Sequence, residues 1–148
     1  MRVTKRTSIA IRLLMYCATN PDRLVTKSEV AGVCDLSENH LAQVVNQLGR
    51  LGYLDTQRGR NGGVRLGRPP REIGIGQVFR AIEGCVPSDA CMADADCTCV
   101  FLGACALRHI LSDATDAFYG HLDQFTLADV LSESAQLTGL LHRVRIPA

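Results

Sequence analysis

The sequence predicts a mainly α-helical chain with one small β-hairpin: a winged helix-turn-helix domain followed by a long helix. Three observations predict it. Apolar residues recur at helical spacing through much of the first half, and there a short helix is separated from a longer one by a brief turn. The stretch "YLDTQRGRNGGVRLGRP" alternates in the manner of two strands joined by glycines. In the second half, apolar residues step by threes and fours over some twenty positions, the spacing of a helix-pairing seam. With 148 residues the chain is long enough to bury a core without cross-links.

The elements follow in order. From Ser8 to Thr19, Ile9, Leu13, Leu14, Tyr16 and Cys17 mark one helical face, and "NPDR" ends it. "TKSEVAGVCD" makes a short second helix capped by Thr26 or Ser28, with Val30, Val33 and Cys34 inward. In "LSENHLAQVVNQLGRLGYL", Ser37 is the expected cap of a longer helix. Its stripe Leu41, Val44, Val45, Leu48 and Leu51 ends at Gly52. The glycine-rich turn of the hairpin is expected to bear Arg58, Arg60 and Arg65. "IGIGQVFRAIEG" predicts a helix with Ile75, Val78, Phe79 and Ile82 inward, packing the wing onto the domain. From Gly103 to Phe125, the stripe Leu107, Leu111, Ala114, Phe118, Leu122 and Phe125 gives the long helix. A single chain could bury that stripe against its own domain. A last helix begins near Thr126. The chain divides into a winged helix-turn-helix domain (1–84), a cysteine-rich loop (85–105) and a pairing helix with a C-terminal helix (106–148).

Charge is divided along the chain. Residues 1–71 hold 12 Lys and Arg against 5 Asp and Glu, a net +7, and the remainder nets −6. A basic first half suits a polyanionic partner. The residues facing away from the stripe of the longer helix are Glu38, Asn39, His40, Gln43, Asn46 and Gln47. Asn and Gln pair in bidentate fashion with adenine, and a helix fits the major groove. A wing with cations at its tip can follow the phosphate backbone. Thr26, Lys27, Ser28, Ser37, Asn39, His40, Gln43, Asn46, Arg58, Arg60, Asn61 and Arg65 are the candidate contacts to double-stranded DNA. Any one of these taken singly reads equally as a solvated polar side chain.

The opening residues have the basic-then-apolar order of an export signal, but Arg12 interrupts the run and Tyr16 before Cys17 does not suit lipoprotein cleavage. They read as a helix of a cytoplasmic protein, with no run long enough to span a membrane.

Seven cysteines is an odd number, which argues against a secreted disulfide scaffold. Cys17 and Cys34 lie on apolar helix faces, where cysteine behaves as a small hydrophobe. Cys85 lies outside the dense group "CMADADCTCVFLGAC". Zinc accepts four thiolates, yet its knuckles place two cysteines two to four residues apart, and Cys97 and Cys99 have one residue between them. A thiol switch needs only two thiols, but Asp89, Asp94 and Asp96 disfavour their thiolates. An iron–sulfur cluster takes thiolates several residues apart, and gaps of seven and five residues between Cys91, Cys99 and Cys105 suit a wrapping loop. All three chemistries remain open on residue types alone.

"RGRNGGVRLGRPPREIGIGQVFRAIEG" resembles the signature stretch of the Rrf-type winged-helix regulators, a bacterial family that includes nitric-oxide-sensing repressors and iron–sulfur regulators. "SENHLAQVVNQLGRLGYL" before it, and "GACALRHIL" and "LDQFTLADVL" after it, extend the resemblance over nearly the whole chain. It implies a homodimer formed through the long helix, bound to a palindromic operator. It also implies a cluster on Cys91, Cys99 and Cys105, of the four-iron kind in preference to the two-iron kind. Nitric oxide would be the effector, releasing DNA by nitrosylation or loss of the cluster. Where the resembling proteins take a carboxylate from the partner's first helix, this chain has Ser8, leaving Cys97, His109 or a small molecule to complete the site. His109 also reads as a surface histidine. The competing expectations are a regulator of the same fold sensing iron–sulfur status or redox stress, and a zinc-stabilised or thiol-switch DNA-binding protein. An electron-transfer protein is the other class. Against an enzyme stands the lack of a Gly-rich nucleotide loop, a paired carboxylate site or a nucleophile–base set.

Overall fold

The computed structural model describes residues 3–34, 36–60, 62–84 and 106–132. Helix α1 (Lys5–Ala18) runs through the centre. Its start lies upstream of the expected Ser8 because Thr4 caps it, accepting a hydrogen bond from the Thr7 amide. Ile9, Leu13, Leu14, Tyr16 and Cys17 are all buried, as their spacing predicts.

Helix α2 (Lys27–Cys34) is capped by Thr26, whose hydroxyl accepts from the Glu29 amide at 3.2 Å, and not by Ser28. Helix α3 (Glu38–Arg50) follows, completing the helix-turn-helix. Ser37 occupies its N-cap position, but its side chain makes no capping bond. Leu41, Val44, Val45 and Leu48 are buried, whereas Leu51 is 38% exposed because the helix has already ended there.

Strands β1 (Leu54–Gln57) and β2 (Gly63–Leu66) pair antiparallel, Leu54 opposite Leu66 and Gln57 opposite Gly63. Val25 adds a rung, exchanging two 2.8 Å hydrogen bonds with Val64, so the wing is stitched to the segment before α2. Arg65 stands within β2 opposite Asp55, not on the turn where it was expected.

After a 3-10 turn (Pro70–Glu72) comes α4 (Ile75–Glu83), with Ile75, Val78 and Ile82 buried. Among the described residues it packs chiefly on α1 and on α5 (Ala106–Leu122) and not, as the sequence suggested, on the wing. Helices α4 and α5 form an antiparallel hairpin. Phe79 meets Phe118 edge-on, Arg80 lies 4.5 Å over the Tyr119 ring, and its guanidinium makes paired bonds of 2.6 and 2.7 Å to Asp123. Gly76 lets the two approach: a Cβ there would sit 2.0 Å from an Asp123 carboxylate oxygen.

Helix α6 (Leu127–Ser132) begins with Thr126 and Asp129 bonding each other's backbone amides. Its first residue returns to the winged-helix core. Leu127 is fully buried, its amide donating to the Ile73 carbonyl at 2.8 Å, while the Ile75 amide donates to Phe125 at 2.9 Å. Burying such a leucine stabilises by roughly 1.5–3 kcal/mol. Among the described residues no helix is long and apolar enough to cross a membrane.

Candidate nucleic-acid interface

The turn between α2 and α3 sets the amino end of α3 beside the wing. Between them lies an open groove of about 460 Å³, lined by Thr26, Lys27, Ser28, Glu38, Asn46, Thr56, Gln57 and Arg58, with the wing glycines. The structure thus gathers four residues of the helix-turn-helix candidate set, Thr26, Lys27, Ser28 and Asn46, with Arg58 of the wing. Asn39, His40 and Gln43 lie exposed on α3, next to Ser37 at its cap. None of Asn39, His40, Gln43 and Asn46 has a side-chain hydrogen bond among the described residues, so their donors and acceptors are open to a ligand. Arg60 is exposed at the wing turn, and Asn61 lies outside the described residues. Arg65 is exposed too, but 3.6 Å from Asp55, which offsets part of its charge.

Gln47 departs from its expected outward role. Its amide donates to the Ala81 carbonyl at 3.0 Å and its oxygen accepts from Arg6 at 3.1 Å, so it joins α3 to α4 and α1. Nearby, Glu83 closes α4 against α1. Its carboxylate accepts from the Thr4 amide at 2.8 Å, from the Thr4 hydroxyl at 3.0 Å and from the buried Thr7 hydroxyl. Burial pushes the Glu83 pKa up, and the bonds from Thr7 and Thr4 outweigh it and hold the group below its ordinary range. Sequence reasoning missed both roles. Glu83 lies 79 residues from Thr4, and no local pattern marks such a pair.

Cys91, Cys97, Cys99 and Cys105 lie outside the described residues, as does Cys85. The segment that carries them leaves α4 after Gly84 and enters α5 at Ala106. Of the other candidate ligands, Ser8 is half-buried on α1 and His109 exposed on the first turns of α5. A hydroxyl is a weak iron donor and an imidazole a competent one, so the donor chemistry fits an iron centre at His109 better than at Ser8. Among the described residues no group of three or more His, Cys, Asp or Glu side chains is placed to hold a metal ion. Cys17 is buried as a core hydrophobe, its thiol pushed up to about 12 by burial and by the Glu29 charge. Cys34, half-buried, is also raised by burial.

Comparison with known proteins agrees with this arrangement. The family model described as "Rrf2: Iron-dependent Transcriptional regulator" matches residues 3–133. The HTH-type transcriptional regulator NsrR of Geobacillus kaustophilus is 40% identical over 146 residues, covering 98% of this chain and 99% of that protein. NsrR of Bacillus licheniformis is 38% identical over 142 residues, covering 95% and 99%. Among solved structures, IscR of T. potens superposes with a TM-score of 0.73 at 21% identity, covering all of this chain and 94% of that one. CymR, the global cysteine regulator of B. subtilis, gives 0.70 at 24% identity, covering 90% and 98%. These structures show the shared winged-helix fold, and the matches along the full length show the family. The chain belongs to the Rrf2 family of transcriptional regulators.

Proposed function

We propose that the protein is a homodimeric repressor that binds a palindromic operator and senses nitric oxide through an iron–sulfur cluster held by Cys91, Cys99 and Cys105. The observation that carries the DNA-binding part is the groove between α3 and the wing, where the Asn46 amide, without a side-chain hydrogen bond among the described residues, stands beside Lys27 and Arg58. Amides of α3 read base edges, and Arg58 and Arg60 lie on phosphates. Thiolate donors suit an iron–sulfur centre, whose iron supplies the reactivity toward nitric oxide. NsrR-named relatives at 38–40% identity support that choice of sensor.

What this chain contributes is the mounting. The cysteine segment begins where Glu83 grips α1, and two residues earlier Ala81 is bonded to the recognition helix through Gln47. A change in the segment therefore acts on a stem tied to α3. Two states that differ in operator affinity suffice for regulation. The face of α5 with Leu107 (60% exposed), Ile110 (61%) and Leu111 (42%) is covered by none of the described residues and supports pairing with a second copy. A second sensor reading, of iron–sulfur status or redox stress, is favoured by one observation: Ser8 offers a hydroxyl where the resembling repressors use a carboxylate.

Anaerobic purification tests the proposal. A brown protein with cluster absorption is expected, with operator binding that falls on addition of nitric oxide. Replacing Cys91, Cys99 or Cys105 with Ala should abolish the colour and Cys17→Ala should keep it. Colourless protein with stoichiometric zinc overturns the cluster. Cluster-loaded protein whose DNA binding ignores nitric oxide but follows iron supply or oxidants selects the second reading.

A further inference from the structure

We infer that Glu38 discriminates operator sequence, its carboxylate accepting a hydrogen bond from the exocyclic amino group of a cytosine in the major groove. The inference rests on the DNA-binding reading above and adds to it a base and the residue that selects it. Glu38 is the first residue of α3, exposed, and it lines the groove shared with Lys27, Ser28, Asn46 and Arg58. Those neighbours offer donors or positive charge, which suit phosphate. A carboxylate in the same groove does not: it only accepts, and the backbone of DNA offers it repulsion alone.

Two ordinary roles fall short of explaining it. An acidic group at a helix N-terminus complements the helix dipole, but any orientation toward solvent does that equally well. An ion pair would tie it to Lys27 or Arg58, and among the described residues Glu38 has no such pair and no side-chain hydrogen bond. The position is also one from which a recognition helix reaches base edges, since its N-terminal residues enter the groove first.

The chemistry of the bases then selects the partner. Cytosine itself presents only the N4 amino donor to the major groove, the acceptors of that pair belonging to guanine on the other strand. Adenine places the N7 acceptor beside its amino group, guanine shows two acceptors, and thymine shows one acceptor and a methyl group. A carboxylate is repelled by every one of these acceptors. One position per half-site is therefore expected to require cytosine.

Selection from a randomised duplex library, using the full-length protein purified anaerobically, tests this. The native protein should enrich a palindrome with one cytosine that Glu38→Ala no longer prefers, a loss of roughly 5- to 150-fold in discrimination at that position alone. Glu38→Gln, nearly isosteric, should shift the preference there toward adenine, because an amide both donates and accepts. Thermal melting of both variants checks that they fold. An unchanged motif in both variants overturns the inference, as does tighter binding by both at every sequence, which would make Glu38 only a source of phosphate repulsion. A native protein that enriches no motif overturns the DNA-binding reading itself, and that outcome is visible before any variant is made.

Discussion

The side-chain amide of Gln47, in the last turn of α3, donates to the main-chain carbonyl of Ala81 at 3.0 Å. That carbonyl belongs to the last turn of α4 and has no partner within its own helix. The recognition helix thus satisfies a group at the root of the cysteine segment, while Arg6 holds the other end of the same amide at 3.1 Å.

Replacing Gln47 with Leu is expected to cost about 1 kcal/mol of stability, the net worth of a part-buried hydrogen bond. Operator affinity should fall by more than that loss implies, because α3 is no longer pinned. Urea denaturation and a DNA titration on the same preparation check this. Equal affinity would place the pin elsewhere.

Tyr16, Arg23 and Glu29 tie the end of α1 to α2. The Tyr16 hydroxyl donates to Glu29 at 2.7 Å, and Arg23 bonds both carboxylate oxygens, one at 2.9 Å. Arg23 is the main reason the Glu29 pKa lies below its ordinary 4.5, against an opposing push from burial and with help from Tyr16. A carboxyl with a lowered folded pKa stabilises fully above its unfolded pKa and loses that contribution as pH falls through the folded value. Native protein and Glu29→Gln should therefore differ by about 1–2 kcal/mol at pH 7 and converge in acid below the folded pKa. Denaturation midpoints measured from pH 7 down to 3 would show the convergence.

The wing separates two arginines that look alike in the sequence. Arg60 is exposed at the turn, whereas Arg65 faces Asp55 at 3.6 Å. Arg60→Ala should weaken operator binding and reduce the salt slope by about 1, the signature of one phosphate contact. Arg65→Ala should change the slope less. If the order is reversed, β2 and not the turn lies on the backbone.

Leu107 and Ile110 stand 60% and 61% exposed on α5. Changing both to Glu should leave the winged-helix core intact, since neither touches it, and convert a dimer to a monomer measurable by sedimentation. Each buried aliphatic side chain contributes roughly 1.5–3 kcal/mol, and twofold symmetry counts it twice. A variant that still sediments as a dimer would place the contact on another face.

Periodicity revealed the elements because it records which side chains meet a core. Leu41, Val44 and Leu48 follow one another at three and four residues, and all are fully buried. It did not reveal what each element packs against. Helix α4 has the face expected of it, yet it lies on α1 and α5, and Leu127 returns to a core built mostly from residues more than fifty positions earlier. Arg65 fell to a related ambiguity: the composition of "RGRNGGVRLGRP" marks a hairpin without saying where the turn ends. For the candidate interface, residue types on the outer face of α3 pointed to Glu38 and Asn46 of the groove lining, and the cap and wing residues supplied Thr26, Lys27, Ser28 and Arg58. Gln47 was misjudged because its partners lie 34 and 41 residues away. The cysteine spacing remains a matter of sequence, since those residues fall outside the described segments.

Among the described residues, helix α5 is fixed at its carboxyl end. Arg80 grips Asp123 and the Ile75 amide meets Phe125, both just past its last turn, while its first turns rest on no described part of the chain. Seventeen residues make an arm about 26 Å long. A tilt of about 10° at that pivot sweeps the free tip through roughly 4–5 Å, more than the ~3.4 Å rise between successive base pairs. Whatever rides on the tip is displaced by over one base-pair step for such a tilt at the base. In the dimer proposed above, a partner docked on Leu107 and Ile110 near that tip would be carried through the same arc, so a small tilt at the Arg80–Asp123 joint would become a change of register along DNA.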